Sequence, residues 1–271
     1  MLAIKNNIMA ANSARHLGMS YDALAKSVER LSSGLRINSA KDDAAGLAVR
    51  ELMRADIAVL QQGSRNALDG ISMLQTMEGA MGTIDEALVR MKQLAEQAST
   101  GSYSEAQRTI MNNEFSEMAS EIDRIAGATE FNGNTLLNSA SASVSIQFGA
   151  ATTDAISITG CNMTSSALSL TSATIANAAS AQAALATISS AITTKDTARA
   201  MFGYKMNRLE STISVINNQA ENLSAAESRI SDVDVATEMA AMTRTQVLAQ
   251  AGVAMLAQAN TMPQMALTLL R

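Results

Sequence analysis

The chain has 271 residues and is 47% hydrophobic, yet it holds no tryptophan and only three tyrosines and four phenylalanines. Compact globular cores draw on aromatic bulk, whereas thin helical bundles manage on Ala, Leu, Ile and Met. The net charge of −5 is spread over both signs and leaves no nucleic-acid footprint, and the single cysteine, Cys161, excludes an internal disulfide framework and a Cys-based zinc site.

Met1–Asn7 carries one lysine with no apolar stretch behind it, so no general secretory signal peptide is expected there. A first ladder of apolar residues at alternating threes and fours follows: Leu17, Tyr21, Leu24, Val28, Leu31 and Leu35. Ser39–Asp42 and Ser104–Gln107 both have the form of a helix-start box, a hydroxyl followed three residues on by an acid or amide. Gly101 is a plausible stop for the helix between them. That helix carries a second ladder, Leu74, Met77, Met81, Ile84, Leu88, Met91, Ala95 and Ala98. A third follows at Met111, Phe115, Met118, Ile122 and Ile125. Glu86 with Arg90, and Glu121 with Arg124, are spaced as helical charge pairs, each contributing only tenths of a kcal/mol.

The character then changes. Phe131-Asn132-Gly133-Asn134 is turn chemistry. Val144, Ile146 and Phe148, then Ile156 and Ile158, alternate with polar residues, which predicts a β-hairpin within about 130–165. From Gly160 to Thr187 the Ser/Thr/Ala/Asn-rich composition predicts an exposed connector of low complexity.

Fourteen unbroken heptad positions run from Leu185 to Ile230, and only Lys195, Arg199 and Glu227 among them are charged. A helix of that length, about 70 Å at 1.5 Å per residue, cannot bury its stripe on itself. Three ladders before the hairpin and one after predict a mainly α fold: a long antiparallel helical bundle or coiled coil with one small β-hairpin region. In the last forty residues, Ser231–Asp234 has the form of another weak capping box. No charge lies between Arg244 and Arg271, but Thr245, Gln246, Gln250, Gln258, Asn260, Thr261, Gln264 and Thr268 interrupt the run, and Pro263 breaks it. Burial among protein helices is expected there rather than membrane insertion.

The groups that could carry chemistry all have plainer readings. His16 stands alone in a helical stretch, Cys161 has no basic neighbour within five residues, and the paired carboxylates Asp42-Asp43 and Asp232/Asp234 sit at helix starts, where acids favour the dipole. Asn162-Met163-Thr164 and Asn222-Leu223-Ser224 match the N-glycosylation pattern as readily by chance. No catalytic, cofactor or metal site is expected, and the chain is not read as an enzyme.

Ser27-Val-Glu-Arg-Leu-Ser-Ser-Gly-Leu-Arg-Ile-Asn-Ser-Ala-Lys-Asp-Asp-Ala-Ala-Gly-Leu-Ala-Val49 resembles the N-terminal signature of bacterial flagellin. Ser228-Arg-Ile-Ser-Asp-Val-Asp-Val-Ala-Thr-Glu-Met239, and Val247-Leu-Ala-Gln-Ala-Gly-Val-Ala-Met-Leu-Ala-Gln-Ala-Asn260 with Leu270-Arg271 at the end, resemble its C-terminal one. The resemblance covers about residues 1–150 and 185–271; the Ser/Thr-rich connector lies outside it. It is a resemblance to a minimal form without large outer domains.

The resemblance implies a homopolymer, the flagellar filament, lying outside the cell. Residues 1–42 with 231–271 would form its inner coiled-coil domain, and residues 43–230, with the hairpin and a connector at about 160–187, the next layer out. Leu17, Leu24, Leu31, Val253, Leu256, Leu267 and Leu270 are the apolar positions expected to carry polymerisation. The flagellar export apparatus, an export chaperone, and hook-associated junction and cap proteins are the implied partners, with no cofactor. Leu88, Arg90 and Leu94, with Glu114 on the next helix, match flagellin positions recognised by the vertebrate toll-like flagellin receptor. Alternatives are a flagellin-like hook–filament junction protein, a flagellin with an inserted protease and a helical pore former. The short connector lacks the His-Glu-x-x-His pattern that a metalloprotease needs.

Overall fold

The computed structural model describes the backbone of residues 6–269 and the side chains of residues 6–262. The elements in chain order are α1 (Ile8–Ser33), α2 (Ala44–Ser99), α3 (Glu105–Ala128), β1 (Glu130–Phe131), β2 (Asn134–Thr135), β3 (Ser143–Gln147), β4 (Ala155–Thr159), α4 (Ala178–Ser231) and α5 (Val235–Leu269). The fold is mainly α, as expected from the periodicities. Packing divides the chain into two units, Asp56–Ala220 on the one hand and Met1–Ala55 with Glu221–Arg271 on the other, and the divisions fall inside α2 and α4.

The unit of residues 56–220 closes its core. Leu74, Met77, Met81, Ile84, Leu88, Met91, Ala95 and Ala98 of α2 are all fully buried, so the whole second ladder faces inward. Met111, Phe115, Ile122 and Ala126 of α3 pack into the same core, with Met118 and Ile125 at its margin. From α4 come Ile188, Phe202 and Leu209, together with Ala181, Ala184, Ala191 and Ala198. Charged pairs fix the antiparallel register of α2 and α4. Lys195, only 2% exposed, bonds Asp85 and lies 2.8 Å from Asp196, while Arg199 reaches Glu78 at 3.1 Å. Lys195 and Arg199 are two of the three charged residues in the long ladder. A buried cation with one well-placed carboxylate on the facing helix resists sliding by a heptad, since any other register would strand it unpaired.

The ends of α3 are set locally. Ser104 and Gln107 form the expected capping box, the hydroxyl accepting from the Gln107 N–H and the amide oxygen accepting from the Ser104 N–H. Arg108 turns back and donates to the carbonyls of Ala98 and Thr100 at 2.9 and 2.8 Å, satisfying orphan acceptors where α2 ends at Ser99. Gly101 lies in the turn just beyond.

Beyond α3, Asn132 and Gly133 both take positive φ, 51° and 78°, as a tight hairpin turn requires. The Asn-Gly signal thus marks a short β1–β2 pair as well as a turn. The expected hairpin is β3 with β4, antiparallel, Val144 opposite Ile158 and Ile146 opposite Ile156. Its inward residues join the helical core.

The segment after β4 overturns one expectation. It is no exposed connector: Met163, Leu168, Leu170 and Ile175 are buried, and α4 already begins at Ala178. Two polar residues of α3 hold it in place. Asp123 accepts from the Ser165 N–H and hydroxyl at 2.7 and 2.6 Å, and the Asn112 oxygen accepts from the Ile175 N–H at 2.8 Å. Few apolar anchors suffice once a carboxylate and an amide satisfy the strap's own N–H groups.

A candidate assembly surface on the terminal helices

Within the other unit, α1 and α5 pair antiparallel. Leu35 bridges Asp232, Arg30 reaches Glu238 at 3.6 Å, Leu17 packs on Gly252, and the Asn7 amide donates to the Ala259 carbonyl at 2.8 Å. Both ends of α1 are fixed by short-range chemistry. The Asn7 side-chain oxygen accepts from Ala10 N–H, and Gly34 closes the helix with φ 72°. Its N–H bonds the Arg30 carbonyl at 2.9 Å.

The seam between them differs from the first ladder. Covered on α1 are Ala10, Ser13, Leu17, Ser20, Leu24, Ser27 and Leu31; Tyr21 and Val28 are 51% and 49% exposed. On α5 the covered stripe is Glu238, Met242, Thr245, Ala249, Gly252, Leu256 and Ala259. Both stripes keep the alternating spacing of a coiled coil, but small residues recur along them, Ser13, Ser20 and Ser27 on α1 and Ala249, Gly252 and Ala259 on α5. Small residues let the two backbones approach closely: a Cβ placed on Gly252 would already meet a Leu17 methyl at 3.1 Å. Tyr21 and Val28 lie one residue off the seam, beside Ser20 and Ser27, which occupy it. On α5 the uniform apolarity of the sequence conceals this stripe.

A short loop ties the pair to the start of α2. Arg36 donates its N–H to the Ser231 carbonyl and its guanidinium to the Ile230 carbonyl, at 2.6 and 2.8 Å. Arg50 is buried and donates to the Ile37 carbonyl at 2.8 Å. In two of the expected capping boxes the cap falls on an aspartate, four and three residues beyond the serine that the sequence suggests. Asp43, not Ser39, caps α2 by accepting from Gly46 N–H at 2.9 Å. Asp42 instead bonds Lys26 at 2.6 Å and accepts from the Ser39 and Asn38 N–H groups. The Lys26 bond, helped by those N–H donors against a desolvation cost, holds the Asp42 carboxyl well below the usual carboxylate range. Likewise Asp234, not Ser231, caps α5, accepting from Ala236 N–H and the Thr237 hydroxyl. The Thr237 bonds lead in lowering its pKa.

The polymerisation residues inferred from sequence divide between two settings. Leu17, Leu24, Leu31 and Leu256 are half-buried in the seam, so part of their apolar surface is spent within the chain. Val253 is 48% exposed. Leu270 and the side chain of Leu267 lie outside the described residues. Sequence reasoning missed the open positions: Ile8, Met9 and Met19 on α1, and Val247, Leu248 and Met255 on α5, each 48% exposed or more.

The second candidate group also splits. Leu88 and Leu94 are buried in the core of the unit of residues 56–220. Arg90 does not pair with Glu86; its Nε donates to Glu114 at 2.8 Å, with a second contact of 2.6 Å. That pair is roughly half exposed, and it crosses from α2 to α3. The Glu121–Arg124 pair forms as spaced, at 2.6 Å. His16 is exposed. Cys161 is half-buried, and desolvation pushes its thiol up to about 12, which makes it a poor nucleophile. Among the described residues no helix is long and apolar enough to cross a membrane.

This is a helical protein whose terminal helices form one thin antiparallel pair with open apolar faces. The bacterial flagellin N-terminal helical region matches residues 4–142, and the bacterial flagellin C-terminal helical region matches residues 185–270. The chain is 44% identical to a flagellin of Halalkalibacterium halodurans and 40% identical to a flagellin of Bacillus subtilis, covering all of both proteins with all of its own length. Among solved structures it is similar to Bacillus cereus flagellin, with a TM-score of 0.52 and 32% identity over 60% of this chain and 94% of that one. The chain belongs to the bacterial flagellin family. It is a structural subunit that polymerises with itself into the flagellar filament, which lies outside the cell.

Proposed function

We propose that the α1–α5 pair, residues 1–42 with 231–271, forms the inner tube of the filament, and that residues 43–230 form the layer outside it. The observation that carries this reading is the contrast in closure. Large apolar side chains stay in solvent along α1 and α5, including Tyr21, Val28, Val247 and Leu248, more densely than in residues 56–220, whose core is complete although Leu68, Ile110, Tyr204 and Val215 are open. Each such side chain, once buried between subunits, contributes roughly 1.5–3 kcal/mol to association. Val28→Asp and Leu248→Asp, made singly, test this by electron microscopy of purified protein: both variants should stay monomeric with unchanged helicity while the parent forms micrometre filaments. Long filaments from both variants would remove α1 and α5 from the inner tube. Short collars from the parent would favour the junction-protein alternative, against which full-length similarity to flagellins stands.

Before assembly the partners are the flagellar export apparatus and an export chaperone, and hook-associated junction and cap proteins bound the filament. The unburied faces of α1 and α5 are the surface that a chaperone covers.

Receptor recognition narrows to the exposed part of its residue set. Arg90 and Glu114 present a charged pair at the surface, with the guanidinium fork retaining donors for a partner's carboxylate or carbonyls; Leu88 and Leu94 act from beneath, by holding that surface in place. Arg90→Ala and Glu114→Ala should each weaken signalling by the vertebrate receptor at matched circular dichroism, and equal potency of both variants and the parent would remove this role.

A further inference from the structure

The methionines of this chain are sorted by unit. In residues 56–220, Met73, Met77, Met81, Met91, Met111 and Met163 are at most 9% exposed, and Met118, Met201 and Met206 are half-buried against the same core. On the terminal helices the order is reversed. Met9, Met19, Met239 and Met255 are 62%, 61%, 44% and 60% exposed, while Met242 in the seam and Met262 are half-buried. These four thioethers stand among the open aliphatic side chains of α1 and α5, on the surface where a polar residue would be the ordinary choice.

We propose that Met9, Met19, Met239 and Met255 form an oxidation-sensitive modification site that blocks polymerisation of the free subunit and is shielded once the filament forms. The inference rests on the assignment of α1 and α5 to the filament interior. The chemistry needs only a peroxide. The thioether sulfur donates an electron pair to one peroxide oxygen, the O–O bond breaks, an S–O bond forms, and the second oxygen leaves as water after proton transfer. Sulfur is oxidised by two electrons and the peroxide is reduced. A flexible apolar side chain becomes a polar one with a strong acceptor. On a free helix face water satisfies that acceptor, so the monomer tolerates the change. Between packed subunits no donor is positioned for it, and burial becomes costly. Selectivity comes from exposure: the core methionines of residues 56–220 are covered in the same molecule, so the oxidant reaches the assembly faces first.

The test treats the full-length monomer with hydrogen peroxide, maps sulfoxides by peptide mass spectrometry, and measures polymerisation by sedimentation and electron microscopy. Met9, Met19, Met239 and Met255 should oxidise about tenfold faster than Met77, Met81 and Met91, following their exposure. The oxidised monomer should keep its helicity and require about tenfold more protein to polymerise. The same dose given to finished filaments should leave the four sites largely unmodified. A variant with all four changed to Leu, which preserves size and apolarity, should polymerise before and after treatment. Normal polymerisation of wild-type monomer carrying all four sulfoxides would overturn the proposal, as would equal oxidation of the four sites in filament and monomer. The wild-type comparison decides the matter by itself if the leucine variant misfolds. Failure of untreated wild-type protein to form filaments would instead overturn the filament assignment on which the inference rests.

Discussion

In residues 56–220 the stripes of α2, α3 and α4 close on one another, whereas in the terminal pair one narrow seam closes and the remaining apolar faces stay in solvent. The first core is built from full-size side chains, Met77, Ile84, Leu88, Phe115 and Phe202 among them, each at most 2% exposed. Among the described residues of the terminal unit only Ile37, Ala249 and Ala259 are buried apolar residues; the α1 side of the seam alternates Leu with Ser, and the α5 side carries Ala249, Gly252 and Ala259. Both regions follow the heptad rule, and seam side-chain size separates their outcomes. Large residues on three helices make a core that stands alone. Small residues on two helices make close backbone contact but cover little apolar area, so large apolar side chains of both helices stay in solvent.

The largest expected break in this contrast is Phe202→Ala. A fully buried aromatic removed from the closed core should cost about 3–5 kcal/mol, read as a lowered urea midpoint of the monomer. Val28→Ala, on the open face of α1, should move the same midpoint by no more than about 0.5 kcal/mol while raising the concentration needed to polymerise. Equal destabilisation by the two changes would erase the distinction between the units.

Gly252→Leu sharpens it from the other side. Overpacking this seam position against Leu17 should cost about 1–3 kcal/mol locally, suppress filament formation and leave thermal unfolding of residues 56–220 unchanged. Normal filaments from this variant would show that the close approach of α1 and α5 is dispensable.

The eight residues of the second ladder were legible because a continuous large apolar stripe has one inward face in almost any bundle; all eight are buried. The β3–β4 hairpin was legible from alternation alone. The seam of α1 was legible only in part: Leu17, Leu24 and Leu31 of the first ladder lie on it. Tyr21 and Val28 have the right hydrophobicity at nearly the right spacing, but hydrophobicity does not report how close the partner backbone comes, and Ser20 and Ser27 do the packing instead. The strap from Gly160 to Asn177 was illegible for a different reason. Its anchors are aperiodic, and the groups that fix it, Asn112 and Asp123, sit more than forty residues away on α3. Arg90 shows the same limit: its sequence neighbour Glu86 was the local choice, and Glu114 on a facing helix is the partner.

The smallest effect concerns the loop joining α1 to α2. Because the folded-state pKa of Asp42 is depressed, its contribution is present above the ordinary carboxylate pKa and is lost as pH falls below it. Acid titration of the parent should therefore loosen this loop progressively below about pH 4, seen as a falling protection factor at Asn38 and Ser39, each rate being referred to the intrinsic rate at the same pH. Asp42→Asn should show low protection there already at neutral pH and little further change on acidification. A parent whose protection factors at these two amides are the same at neutral and acid pH would remove Asp42 as the tie.

Amide hydrogen exchange on monomer and on filament, compared residue by residue, addresses the difference between the units most directly. Residues 56–220 should be protected equally in both forms, because their core is complete without neighbours. Residues 8–33 and 235–262 should exchange rapidly in the monomer and become strongly protected in the filament. Terminal helices already strongly protected in the monomer, or still unprotected after polymerisation, would contradict the account.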